Sequence, residues 1–264
     1  MKPDYKNWVP ASMVAGFVGG GAVALALSVL LGRGSLLPAG PVKTVLGAAL
    51  LAAAVILALA GFWMLYLHRA FSYDGKRQMS RQIIQGIAQY VRLPEGGVGL
   101  DVGCGSGALT IACAKRNPQA TMVGADIWSG AYKAVFTQAL CEKNARIDGV
   151  DNVRFQPGDA TKLPFQDESF DAVTSNYVYH NIPFADRQAL LLETLRTLKK
   201  GGTFALHDIM SARRYGDMEA FAQKLRDMGY AEVRLIDTTD GLFMKRWEAY
   251  TMDLFGSTLV VGRK

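Results

Sequence analysis

The run Asp101-Val102-Gly103-Cys104-Gly105-Ser106-Gly107 follows the apolar Val98-Gly99-Leu100 and leads into a helical pattern beginning near Ala108. Three glycines at alternate positions let the backbone pass close to a ligand where any Cβ would collide. The helix that follows offers free N–H groups to an anion or a carboxylate. A strand, a glycine turn and a helix in this order describe a nucleotide-type cofactor site on an α/β sheet. Because Ala108 follows, the run fits both G-x-G-x-G and the dinucleotide pattern G-x-G-x-x-G/A. A tight turn without a ligand is the plain alternative.

The surroundings narrow the choice. A second strand pattern, Ala120 to Ala125, ends in Asp126, whose carboxylate can accept both ribose hydroxyls. A third, Val153-Arg154-Phe155, leads into Gly158-Asp159-Ala160, followed by Leu163-Pro164-Phe165 and Ser169-Phe170-Asp171-Ala172-Val173. From about Ser72 onward this ordered series resembles the class I S-adenosylmethionine-dependent methyltransferases. The resemblance implies an α/β fold with a doubly wound, mostly parallel, Rossmann-like sheet of seven strands. It implies S-adenosyl-L-methionine as cofactor, its methionine end held by Gly103, Gly105 and Gly107 with Asp101 near the amino group. Asp126 would hold the ribose, and Ile127 or Trp128 would pack on the adenine. Asp159 would take the adenine amine and the Ala160 N–H a ring nitrogen. Asn176 and a lid residue, Tyr73, complete the expected cofactor set. A dinucleotide dehydrogenase accounts for the first two motifs but not for Gly158-Asp159-Ala160.

Methyl transfer from a sulfonium is an in-line displacement, so positioning supplies much of the rate. The acceptor is expected beyond the fourth strand, near Asn176-Tyr177-Val178-Tyr179-His180-Asn181. Tyr177, Tyr179 and His180 could orient it or take its proton. His180 has the most suitable ordinary pKa for a base near neutrality, although a histidine opening a loop can equally cap a helix or bond a carbonyl. His207, ending the fifth strand, is a second candidate. Cys104, Cys113 and Cys141 stand at no metal-like spacing, so neither a metal site nor a disulfide framework is expected. The motifs leave open a cofactor-binding sensor or scaffold without turnover.

The elements that must position these groups alternate as a parallel sheet requires. Helices are expected over Met79–Val91, Leu109–Lys115, Ala131–Ile147, Ala185–Leu198 and Met218–Met228, with the fourth strand at Asp171–Asn176 and the fifth at Thr203–His207. Ala231–Ile236 and Ser257–Val261 read as a final antiparallel pair. About 20 residues, 237–256, join them where a hairpin needs two to five. This segment can wall a substrate pocket, touch a membrane or cover a core edge.

Residues 1–70 have a different character. Neither Ala11–Leu31 nor Thr44–Leu67 contains a charged residue, and each clears the roughly 18–20 residues that cross a bilayer as a helix. Gly32–Pro41 between them is rich in helix breakers. Gly16 and Gly20 would permit close helix contact. A signal peptide is the alternative for the first run, but a second apolar run follows directly. Lys2 and Lys6 precede the pair, and His68, Arg69, Lys76, Arg77 and Arg81 follow it. The connection has Arg33 and Lys43, so the bias places the domain at 71–264 on the cytoplasmic side. Tyr5, Trp8, Trp63 and Tyr66 would form an aromatic belt there. The net charge of +6 is scattered through the catalytic part, which argues against a nucleic-acid partner. The expected partners are a lipid bilayer and a small-molecule or lipid-like acceptor; oligomeric state is not legible.

Overall fold

The computed structural model describes residues 1–34, 37–128, 135–183 and 186–264. It divides into two compact units, one of residues Asn7–Ser80 and one joining Met1–Lys6 to Arg81–Lys264. In this division the first six residues group with Arg81–Lys264 rather than with the apolar helices.

In the smaller unit α1 (Ala11–Arg33) and α2 (Pro41–Phe71) are both long and apolar enough to cross a membrane. Pro41 opens α2 where a missing N–H does no harm. The helices run antiparallel. A Cβ on Gly61 would lie 3.0 Å from Val18, one on Gly21 3.4 Å from the Ala54 carbonyl, and Ser28 Oγ donates to Gly47 O. The close seam is thus Gly21 and Gly61. Gly16, expected there, has nothing within 4 Å, and Gly20 reaches Leu57 alone. Leu25, Leu27, Leu30, Ile56, Leu59 and Phe62 are exposed, so the outer faces stay apolar.

In the larger unit seven strands form one sheet in the order β3-β2-β1-β4-β5-β7-β6. These are β1 (Val98–Val102), β2 (Thr121–Asp126), β3 (Val153–Pro157), β4 (Phe170–Asn176), β5 (Leu198–Ile209), β6 (Glu232–Asp237) and β7 (Ser257–Arg263). The first five pair in parallel, and β7 runs antiparallel between β5 and β6. The apolar runs are continuous because both faces of a parallel sheet are covered. Leu100, Val102, Val173, Phe204, Leu206 and Val260 lie in the core with Leu191, Leu195 and Phe221 from the helices.

Helix α3 (Met79–Ala88) precedes β1, and α4 (Ala108–Arg116), α5 (Gln138–Ile147), α6 (Arg187–Arg196), α7 (Ala212–Tyr215) and α8 (Met218–Asp227) lie between strands. Side-chain caps mark two of the helix starts. Thr137 Oγ1 accepts from Leu140 N to open α5, and Asp186 accepts from Gln188 N and Ala189 N to open α6. The earlier expected starts, Ala131 and Ala185, lie outside the described residues. The fifth strand is longer than expected, beginning at Leu198 beside Phe170.

Between β6 and β7 the chain forms α9 (Arg246–Thr251). Phe243, Met244, Ala249, Met252 and Leu254 of this segment are buried, while Leu242, Trp247, Tyr250 and Phe255 are exposed. Phe243 lies on α3 at Gly86, where a Cβ would stand 2.1 Å from its ring. The segment therefore covers a core edge and also keeps an outer aromatic face, on which Tyr250 stacks against Phe255 at 4.8 Å.

Candidate active site

The glycine turn sits at the carboxyl edge of β1, where open α/β sheets bind ligands. Gly103, Gly105 and Gly107 have φ of +71°, +55° and +80°, conformations that favour glycine. At Gly103 space adds to the argument: a Cβ would lie 2.3 Å from the Val178 side chain. That contact joins the glycine turn to the segment after β4, so the cofactor-side and acceptor-side residues share one locale.

Asp126 closes the turn from the side. Its Oδ2 accepts from Gly105 N at 2.9 Å and its Oδ1 from Trp128 N at 2.8 Å. A carboxylate has about four acceptor positions, so two remain. Trp128 folds back, donating Nε1–H to Gly105 O at 3.1 Å, whereas Ile127 is exposed. Gly158 N donates to the Asp126 backbone carbonyl, which ties Gly158-Asp159-Ala160 to the end of β2. Asp159 is exposed; its Oδ1 accepts from Thr161 N and Oγ1, and Ala160 is half-buried. Asp101 is buried, accepting from Thr110 Oγ1 at 2.7 Å, and burial pushes its carboxyl up to about 7. Tyr73 lies after α2 in the other unit, so its lid role stays a proposal.

On the acceptor side the sequence candidates separate. His180 Nδ1 lies 2.5 Å from Asp208 Oδ1. The His180 side chain is 15% exposed and that of Asp208 fully buried, so the imidazole has an open side and an anchored one. Burial alone would raise the Asp208 carboxyl, but His180 and the Ile209 N–H hold it below the usual range. Asp208 Oδ2 also accepts from the backbone N of Tyr179 and of His180. Asp208 was not among the sequence candidates. Nothing local to the chain marks it: the pairing of β5 with β4 brings Asp208 beside His180 across 28 positions.

Tyr179 is a correction. A 3-10 turn over Tyr179–Asn181 swings the ring into the core, where it is fully buried and its hydroxyl bonds Thr194 Oγ1 at 2.7 Å. It packs the site and cannot touch an acceptor. Tyr177 is half-buried, its hydroxyl bonding Ser257 Oγ at 2.8 Å, and burial raises its pKa above the ordinary phenol value. It can position but is no base near neutrality. His207 is also corrected: fully buried, it pairs through Nδ1 with Asn176 Oδ1 and through Nε2 with Thr238 Oγ1. Burial lowers its pKa to about 3 and both ring nitrogens are engaged, which excludes it as a base. Asn176, half-buried, meets His207 through its Oδ1. Phe243 stands over His207 at 5.5 Å, adding an apolar wall that the sequence reading did not assign to the site.

Residues 100–206 match the family described as methyltransferase domain. The chain is 28% identical over 177 residues to 27-O-demethylrifamycin SV methyltransferase of Amycolatopsis mediterranei, covering 66% of this chain and 62% of that protein. It is 33% identical over 136 residues to phthiotriol/phenolphthiotriol dimycocerosates methyltransferase of Mycobacterium tuberculosis, covering 51% and 46%. The chain thus spans less than two thirds of the length of these curated relatives. Among solved structures, the [4+2]-cyclase SpnF is similar with a TM-score of 0.54 at 20% identity, over 72% of this chain and 84% of that one. Geranyl diphosphate C-methyltransferase of Streptomyces coelicolor, solved with S-adenosyl-L-homocysteine, gives 0.51 at 17%, over 71% and 79%. The family match over residues 100–206 and the sheet topology support a class I S-adenosylmethionine-dependent methyltransferase domain.

Proposed function

We propose that this chain is a methyltransferase held in a membrane by its helical pair, with the catalytic unit on the cytoplasmic side. It moves a methyl group from S-adenosyl-L-methionine to a hydrophobic or amphipathic small molecule. The observation that carries the reading is the meeting of Gly103 with Val178, which sets the His180–Asp208 pair near a glycine turn gripped by Asp126. The cofactor, when bound, supplies an electrophilic methyl on sulfur. Asp126 offers its two remaining acceptor positions to the ribose, Asp101 faces the amino group, and Gly158-Asp159-Ala160 takes the adenine edge. Asp208 holds Nδ1–H of His180, leaving Nε2 to accept the acceptor's proton.

The curated relatives' names give small-molecule acceptors, which supports that class here. The fold alone does not decide turnover, since a [4+2]-cyclase shares it. Incubating the full-length chain with S-adenosylmethionine and a membrane lipid extract should release S-adenosylhomocysteine only when the extract is present. Cofactor binding without product under any extract would favour a sensor or scaffold.

Two further outcomes are expected. Two apolar spans should keep the chain with membranes through alkaline carbonate and high salt, as transmembrane helices do; release by either treatment would exclude spanning. The second concerns pH. An ammonium arriving beside Asp101 favours its carboxylate, so binding expels the proton that burial retains below about 7. Affinity for S-adenosylhomocysteine should therefore climb as pH rises through about 7, by at most tenfold per unit, while the ligand's α-amino group stays charged up to roughly pH 8. Calorimetry on wild type and Asp101→Asn tests this, the variant losing both affinity and slope. A flat wild-type profile would remove Asp101 from the amino-group site.

A further inference from the structure

We infer that residues Asp4 and Tyr5 are a positioning strap for the glycine turn, so that the lead-in to the first apolar helix is also part of the cofactor site. The inference rests on the reading that this turn holds S-adenosylmethionine. Tyr5 is buried although Met1, Lys2 and Asp4 beside it are exposed, and its hydroxyl donates to Asp148 on α5. Lys115 Nζ meets the same Asp148 oxygen from α4 at 2.7 Å. The Asp4 N–H donates to Asn144 Oδ1 at 2.8 Å, and Asn144 Nδ2 donates to both Asp4 O and Ser106 O at 3.0 Å. Ser106 Oγ in turn donates to Tyr5 O at 2.9 Å. Asn144 is fully buried, so it acts as a spacer with one end on the strap and the other on the turn.

Ser106 is the residue this network grips. It stands between Gly105 and Gly107, two pivots whose backbone can adopt many conformations. An external hold must therefore set its orientation, and its carbonyl and hydroxyl are both engaged by the network. Asp126 separately holds Gly105, accepting from its N–H at 2.9 Å. The turn is clamped twice, by β2 through Asp126 and by the strap through Ser106. Pre-organised donors bind a ligand better because less freedom is lost on binding. The strap should therefore raise cofactor affinity without touching the cofactor. It passes at Asn7 directly into the unit that carries the apolar helices.

The test uses the full-length chain in detergent with S-adenosylhomocysteine as probe. Tyr5→Phe and Ser106→Ala each remove one bond of the network and should raise Kd by about five- to tenfold. By linkage, the probe should in turn slow hydrogen exchange at the Asp4 amide that Asn144 holds. A segment that merely supports the fold would lower the melting temperature of the unliganded protein and leave Kd unchanged. That result, or an Asp4 amide blind to the probe, overturns the proposal. A wild-type chain that does not bind the probe overturns the cofactor reading and the strap with it.

Discussion

His180→Ala is expected to lower methyl-transfer turnover by about 10²–10⁴-fold, the scale of a general base, while S-adenosylhomocysteine affinity stays within about twofold. The expectation follows from how the ring is held. Asp208 takes Nδ1–H at 2.5 Å from a fully buried position, which fixes the tautomer and leaves Nε2 as the acceptor of a proton. The carboxylate that does this is held ionised by the same histidine and by backbone N–H groups. Asp208→Asn should lose a comparable factor, because an amide no longer demands that tautomer. A histidine that only shapes the 178–181 turn would behave differently, losing turnover in step with stability. Wild-type turnover in His180→Ala across the pH range would rule out the base.

Asp126→Ala should raise the Kd for S-adenosylhomocysteine by about 10- to 150-fold, equal to 1.5–3 kcal/mol for a charged hydrogen-bonding group. Two losses combine here: the acceptor positions for the ribose, and the bonds to Gly105 and Trp128 that shape the turn. Asp126→Asn can keep one carbonyl acceptor and should fall between. In a thermal-shift assay S-adenosylmethionine should raise the wild-type melting temperature and NAD should not. Undiminished affinity in Asp126→Ala, measured by calorimetry, would sink the ribose assignment.

What could be read from the chain was what lies close along it. The glycine turn and Asp126 are strand ends with short signatures, and the sheet places them together because β1 and β2 are parallel neighbours. Asp208 was invisible for the opposite reason. It meets His180 across 28 positions, and only the pairing of Asn176 with His207 decides which side of β5 faces the turn. Position beyond β4 alone does not say which way Tyr179 points, and a 3-10 turn there swings its ring into the core. Tyr5 misled for want of any local signal: a tyrosine before an apolar run reads as a belt residue, and its partner lies 143 positions away.

That last separation has a consequence for how the molecule is made. Asp4 and Tyr5 bond partners 140 and 143 residues later, and both apolar helices lie inside the loop so closed. At about 5–20 residues per second, α5 leaves the ribosome roughly 7–28 s after the strap does. Contacts of such range form late, after the local pieces they tie together. The strap therefore docks after everything between it and its partners has been made, and completion of the cofactor site is a late step of folding. On refolding, S-adenosylhomocysteine binding should recover after the circular-dichroism signal of the sheet, and simultaneous recovery would refute that order. The outer clamp on the glycine turn is then among the last parts to form: a chain that has built its sheet still lacks a finished site until Asp4 and Tyr5 dock.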